Sequence, residues 1–351
     1  VSLPATHPLA DGRTSTAPLI RAYRGERPER LPVWFMRQAG RSLPEYRHAR
    51  EGTEMLDACL TPALAAEITL QPVRRHGVDA AIFFSDIVVP VRLAGVDVRI
   101  VPSRGPVLEN PIRTASDVLR LRPIDPEALA PIADAVAIAV AELGATPLIG
   151  FGGAPYTLAS YLVEGGPSKD QLRARAMMYS DPHAWAALLN WCADVTGAFL
   201  RAQVMAGASA VQLFDSWIGS LSRGDYRRRV APHSKRALDA LRGLDVPRVH
   251  FGVGSAEVLD LLPGIGAQTV GVDWRLPLDE ANERLGGGVP LQGNLDPALL
   301  AAPWGTLAAH VADVVERGKS APAHVLNLGH GVPPDADPGV LTRIVEVAHG
   351  G

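Results

Sequence analysis

The chain has 351 residues, 47% of them hydrophobic and 20% charged, with a formal net charge of −3. This composition supports a large buried core and excludes a disordered chain. The near-neutral balance supplies no global field for nucleic acid or an anionic membrane, so any anion site has to be local.

The first 16 residues, rich in Ser, Thr and Pro and lacking the apolar stretch of a signal peptide, read as a short disordered tail ahead of one domain, 17–351. The apolar run LPVWFM (31–36) is the first predicted strand. It breaks into Arg37 and Arg41, which flank a Gln38-Ala39-Gly40 turn. A helix over 61–77 starts on a Thr-Pro pair and stops at Gly77. VDAAIFF (78–84) is the second strand. A helix over 126–144, ending at Gly144, leads to TPLIGF (146–151). The segment 182–207 is apolar on more than one face and is expected to be a buried helix. Then strands and helices alternate: ASAVQLF (208–214) and 224–243, RVHFGV (248–253) and 255–264, TVGVDW (269–274) and 278–286, VPLQGN (289–294) and 306–318, HVLNLG (324–329) and 337–350. Eight strands alternating with helices predict a single α/β domain, a (β/α)8 TIM barrel. An open doubly wound sheet usually carries a Gly-rich phosphate turn after its first strand. Here that strand ends in RQAGR.

No apolar run reaches membrane-spanning length, since Asp86 and Glu142 interrupt the best candidates; the reading is a cytoplasmic protein. Cys59 and Cys192 are far apart and outside any CxxC, which speaks against a disulfide framework or a cysteine-built zinc site.

A barrel places its active site just after the C-terminal ends of its strands. Arg37 and Arg41 stand after strand one and Asp86 after strand two. GGAPYTLASYLVEGG (152–166) follows strand three, and Asp215-Ser216 ends strand four. Later ends carry Asp273-Trp274, GNLDP (293–297), Asn327 and His330. Arginine is the default cation, with lysine only at Lys169, Lys235 and Lys319, so a lone arginine says little. Asp86, between two apolar runs, fits a strand-end hydrogen bond or a desolvated functional carboxylate; its place opposite an arginine-bearing strand end favours function. His330 lies between glycines that let backbone approach a ligand. Ser216 has no GxSxG elbow around it and reads as a hydrogen-bonding group. Tyr161 fits either packing or function. Arg47 reads as a solvated-face residue, while Arg50 is placed to reach an anion.

PVWFMRQAGRSLPEYR resembles the signature of the uroporphyrinogen decarboxylase family. IFFSDIVVP, GFGGAPYTLASYLVEGG, QLFDSWIG, LQGNLDP and NLGHGVPPDADP are similar to further segments of that family, in the same order. One departure is Ser42, where the family usually carries tyrosine. The resemblance implies a homodimeric (β/α)8 barrel without metal or organic cofactor. Its implied activity is the removal of CO2 from the four acetates of uroporphyrinogen III, giving coproporphyrinogen III. By resemblance Asp86 stabilises the protonated pyrrole. Arg37, Arg41 and Arg50 bind side-chain carboxylates, with Gln38, Ala39 and Gly40 lining the same turn. His330 and Ser216 hold further carboxylates, Tyr161 orients Asp86 or an acetate, and Phe214 packs on the macrocycle. Arg37 is also a candidate for proton delivery, although a guanidinium is a poor acid. Two rival readings stand beside it: a zinc-dependent corrinoid or thiol methyltransferase on the same fold, and, from another class, a catalytically silent tetrapyrrole carrier that would keep the arginines but could lose Asp86.

Overall fold

The computed structural model describes residues 2–350; Val1, in the expected tail, and Gly351, the end of the expected domain, lie outside the described residues. Its strands are β1 (Ala81–Ile82), β2 (Val98–Val101), β3 (Gly105–Leu108), β4 (Leu148–Gly153), β5 (Ala210–Asp215), β6 (Arg248–Gly252), β7 (Thr269–Gly271), β8 (Leu291–Gln292) and β9 (His324–Val325). Seven of them form one curled parallel sheet in the order β1-β4-β5-β6-β7-β8-β9. The antiparallel β2-β3 hairpin is an insertion between the first two. Helices cover the outer face. They include Pro62–His76, which ends on Gly77 at φ +65°, and the 24-residue Pro182–Met205. The alternation of apolar runs with helices thus yields a TIM-barrel architecture.

The first predicted strand, LPVWFM, forms no ladder. Only Val33 pairs, as an isolated parallel bridge to Leu326. Main-chain bonds on both sides are sparse. Leu326 N–H donates to Pro32 O at 2.9 Å, and Asp79 N–H donates to Val33 O at 2.8 Å. Trp34 N–H donates to Leu326 O at 3.3 Å and Val332 N–H to Met36 O at 2.8 Å, and side chains add to these. The Asp79 carboxylate accepts from Val33 N–H at 2.8 Å, and Asn327 Oδ1 accepts from Met36 N–H at 2.9 Å. Gln38 Oε1 accepts from Phe35 N–H at 2.8 Å while its Nε2 donates to Ala80 O at 2.9 Å. Segment 32–38 therefore spans the two edges of the seven-stranded sheet. Buried peptide groups require partners, and here neighbouring side chains provide them. Asp79 also pairs with Arg30 and with His349 Nε2, at 2.8 Å in the second case, so the end of the chain docks at the same seam.

Two further expectations change. The segment 255–264 is a series of short 3₁₀ turns rather than a helix, because Pro263 and the Gly264 and Gly266 steps break the periodicity. Residues 155–164, which follow the third predicted strand, form the helix Pro155–Glu164. The segment before residue 17 has contacts that a loose tail would lack: His7 and Thr14 are buried, and Thr14 Oγ1 hydrogen-bonds Ser209 Oγ at 2.9 Å.

If Gln38 braces the seam, Gln38→Ala leaves Phe35 N–H and Ala80 O buried without partners. We expect it to lower unfolding stability by roughly 2–5 kcal/mol in urea titration. A wild-type midpoint would show that the seam closes without it.

Candidate active site

Asp86 follows β1 by four residues and opens partly onto the cleft at the C-terminal mouth. Its Oδ1 accepts from Val88 N–H at 3.0 Å, so the strand-end hydrogen bond is present. The second oxygen has no hydrogen-bond partner among the described residues and is free for a ligand. Burial raises the carboxyl above the ordinary aspartate value, against the opposing pull of the Val88 N–H, Arg37 and Arg41. Arg37 and Arg41 are exposed at the mouth, and neither forms an ion pair among the described residues. Arginines elsewhere on the surface commonly do pair, as Arg236 does with Asp194 at 2.6 Å. Arg41 is held below the ordinary arginine value by the packing around it and by Arg37.

Arg37 has φ +64°, the left-handed region that favours glycine. A residue with a Cβ costs about 1–2 kcal/mol there. An arginine kept at such a position points to a use for its side chain. Gly331 lies directly against it, since a Cβ at Gly331 would overlap Arg37 Cδ. Gly329 lies against β7's end in the same way, where a Cβ would overlap the Trp274 backbone nitrogen. The glycines around His330 thus admit neighbouring protein.

His330 is partly exposed, and its Nδ1 accepts from Gly331 N–H at 2.7 Å. Burial, then Arg37 and Arg41, push the imidazole down to about 4. The ring is neutral near pH 7 and carries its proton on Nε2 as a donor. Tyr161 stands on the Pro155–Glu164 helix, partly buried. Burial and then Asp86 push its phenol up to about 12, so it too remains a donor. Phe214, on β5, meets Phe151 and Phe251 edge-on at 5.5 and 6.1 Å and forms an apolar wall. Ser216 is partly exposed and unpartnered among the described residues.

The structure brings Arg37 within electrostatic reach of Asp86, Tyr161 and His330, Arg41 within reach of Asp86 and His330, and Tyr161 within reach of Asp86. It commits other expected residues elsewhere. The Gln38 side chain is buried in the seam, where its two hydrogen bonds hold it. Gly40, at φ +120°, lies against the Tyr46 and Phe84 rings, and Ala39 packs on the core. Arg50 donates to Tyr46 Oη at 3.0 Å and lies 2.9 Å from Met55 Sδ, held behind Tyr46. Ser42 is buried. Sequence reasoning passed over two tryptophans. Trp217 stands edge-on to Tyr161 at 5.8 Å, and Trp274 edge-on to His330 at 6.1 Å. Their place directly after strand ends was the available signal.

Residues 14–351 match the model of the family described as uroporphyrinogen decarboxylase (URO-D). The chain belongs to the uroporphyrinogen decarboxylase family. A uroporphyrinogen decarboxylase from Arthrobacter sp. (strain FB24) is 66% identical over 339 residues, covering 97% of this chain and 98% of the relative. Another, from Leifsonia xyli subsp. xyli (strain CTCB07), is 61% identical and covers 99% and 98%. In three dimensions the chain resembles a methyltransferase from Methanosarcina mazei, with a TM-score of 0.80 over 96% of this chain and 98% of that one. At 18% identity that likeness concerns the fold alone. The methyltransferase reading gains nothing further from the residues. Burial, with Asp86 nearby, pushes the Cys59 thiol well above its ordinary range, and burial does the same at Cys192. Both cysteines are free and buried.

The two glycines separate packing from binding. Gly331→Ala meets a flexible side chain and should fold while weakening product binding through a displaced Arg37. Gly329→Ala meets backbone and should lower the melting temperature severely. Equal behaviour of the two in thermal melts and product titration would contradict these contacts.

Proposed function

We propose that the Asp86 pocket removes CO2 from the acetate side chains of uroporphyrinogen III, giving coproporphyrinogen III. The observation that carries this reading is a desolvated carboxylate with one free oxygen, facing two unpaired guanidiniums at a barrel mouth. The relatives' activity, at 66% and 61% identity over nearly the whole chain, supports it.

An acetate loses CO2 only if its electron pair has somewhere to go. Protonation of the ring carbon next to the acetate-bearing one makes the pyrrole cationic. The bond to the carboxylate then breaks, the pair flows into the ring, and CO2 leaves. The exocyclic CH2 takes up a proton to become methyl, and the ring carbon returns its own. The net change is uptake of one proton per CO2 released. Asp86 accepts pyrrole N–H groups and stabilises the cationic ring. It is a fixed charge aimed at the charge that develops, in a site where little water competes. Arg37 and Arg41 hold acetate and propionate carboxylates by charge-assisted hydrogen bonds. Neutral His330 and Tyr161 donate to others, Ser216 adds a hydroxyl, and the Phe214 wall covers the macrocycle face. Arg50 supplies positive potential from behind Tyr46. The reaction repeats on four acetates, so the substrate turns or rebinds between steps. A carrier would have no use for the unpaired, desolvated Asp86 carboxylate.

We also propose, on the family resemblance, a cytoplasmic homodimer. Among the described residues no helix is long and apolar enough to cross a membrane. Sedimentation equilibrium returning a monomer mass would contradict the dimer.

Anaerobic incubation with uroporphyrinogen III should yield coproporphyrinogen III, seen after oxidation as the four-carboxylate porphyrin; no turnover would overturn the reading. The raised Asp86 value puts its protonation, and loss of kcat/KM, at higher pH than the ordinary aspartate value of about 3.9. His330, already neutral, should add no limb near the ordinary histidine value of about 6.5. A limb there that disappears in His330→Gln would contradict the neutral-donor role.

A further inference from the structure

Asp215 and His250 are fully buried titratable side chains that the chemistry above does not use. Asp215 ends β5 between two pocket residues, Phe214 and Ser216. Successive strand side chains alternate faces, so Asp215 points away from the Phe214 wall. Its Oδ1 accepts from Thr157 Oγ1 at 2.8 Å, and Thr157 is also fully buried. Its Oδ2 has no hydrogen-bond partner among the described residues and lies 3.6 Å from His250 Nε2 on β6. Thr157 sits one helical turn before Tyr161 on the Pro155–Glu164 helix. A main-chain bond reinforces the junction, Ala154 N–H donating to Phe214 O at 2.8 Å.

A buried carboxylate that accepts one hydroxyl is a poor device for stability alone. Well-packed apolar side chains of similar volume serve as well or better. What the Thr157–Asp215 bond adds is geometry. It fixes the helix that carries Tyr161 relative to the strand end that carries Phe214 and Ser216. Tyr161 comes from one element and Phe214 and Ser216 from another, and the spacing between the two sets the width of the pocket on that side. His250 fills the space beside the second oxygen and restricts rotation of the carboxylate.

We propose that Asp215, acting through Thr157, is a positioning residue that sets Tyr161 against Phe214 and Ser216. The inference rests on the reading of those three as pocket walls.

Thr157→Val keeps the side-chain volume and removes the hydroxyl, and Thr157→Ser returns it. Turnover of uroporphyrinogen III is measured per folded enzyme, the folded fraction being read by circular dichroism. Thr157→Val is expected to lower kcat/KM about tenfold, the scale of a sub-ångström misplacement, with Thr157→Ser within about twofold of wild type. In a Tyr161→Phe background the same change should cost less than about twofold, because the group being positioned is gone. Should the valine variant fail to fold, Thr157→Ala takes its place in both backgrounds. Wild-type kcat/KM in folded Thr157→Val, or an equal loss in both backgrounds, would overturn the positioning role. Absence of turnover by the wild-type protein would instead overturn the decarboxylase reading beneath it.

Discussion

Asp86 sits where burial makes its charge costly, and the two guanidiniums that could relieve it stand outside ion-pair distance. The resting protein thus holds one negative and two positive groups around a cleft without letting them neutralise one another. A substrate with a cationic centre and an anionic rim satisfies all three at once. The charge pattern of the cleft is the complement of a protonated macrocycle bearing carboxylates. His330 and Tyr161 follow from the same arrangement, because the surrounding charges and burial keep both as neutral donors near pH 7. Preorganisation of this kind is what lets fixed protein groups act on developing charge.

The placement of Arg37 depends on how the sheet is joined across residues 32–38. That segment is held by Asp79, Gln38 and Asn327 side chains rather than by a ladder. It leaves the seam at Met36 and turns at once through a left-handed Arg37. A ladder-bonded strand would continue extended and carry the guanidinium away from Gly331. The turn is therefore built from the seam outward, and Gly331 leaves room for the arginine stem.

Much of this was legible in the chain. The apolar runs after 77 fall on strands because they are short, continuous and bounded by turn residues, the pattern of strands buried on both faces. The strand-end rule led from those runs to Arg37, Arg41, Asp86, Tyr161 and His330. Run one looked like its fellows, yet part of its hydrogen bonding comes from side chains, and two of these, Asp79 and Asn327, are distant in sequence, which no local pattern displays. The bracing bonds of the Gln38 side chain were hidden in the same way. The glycines beside His330 were noticed, but what they touch, Arg37 and Trp274, appears only in three dimensions. The 255–264 segment failed because apolar spacing outweighed Pro263 in the reading. Trp217 and Trp274 were in view at strand ends, but their contacts with Tyr161 and His330 appear only in three dimensions.

The central claim is that Asp86 is held charged at a cost in stability because the charge serves catalysis. A carboxyl raised by burial destabilises the fold once it ionises, a penalty absent well below its unfolded value and fully present above the raised folded value. Asp86→Asn removes that penalty near pH 7. The most direct measurement is a thermal melt of Asp86→Asn beside wild type at pH 7, with decarboxylation and coproporphyrinogen binding followed on the same samples. The account predicts a higher melting temperature, retained product binding and loss of most turnover. A variant that turns over like wild type, or one that melts lower and binds nothing, would contradict it.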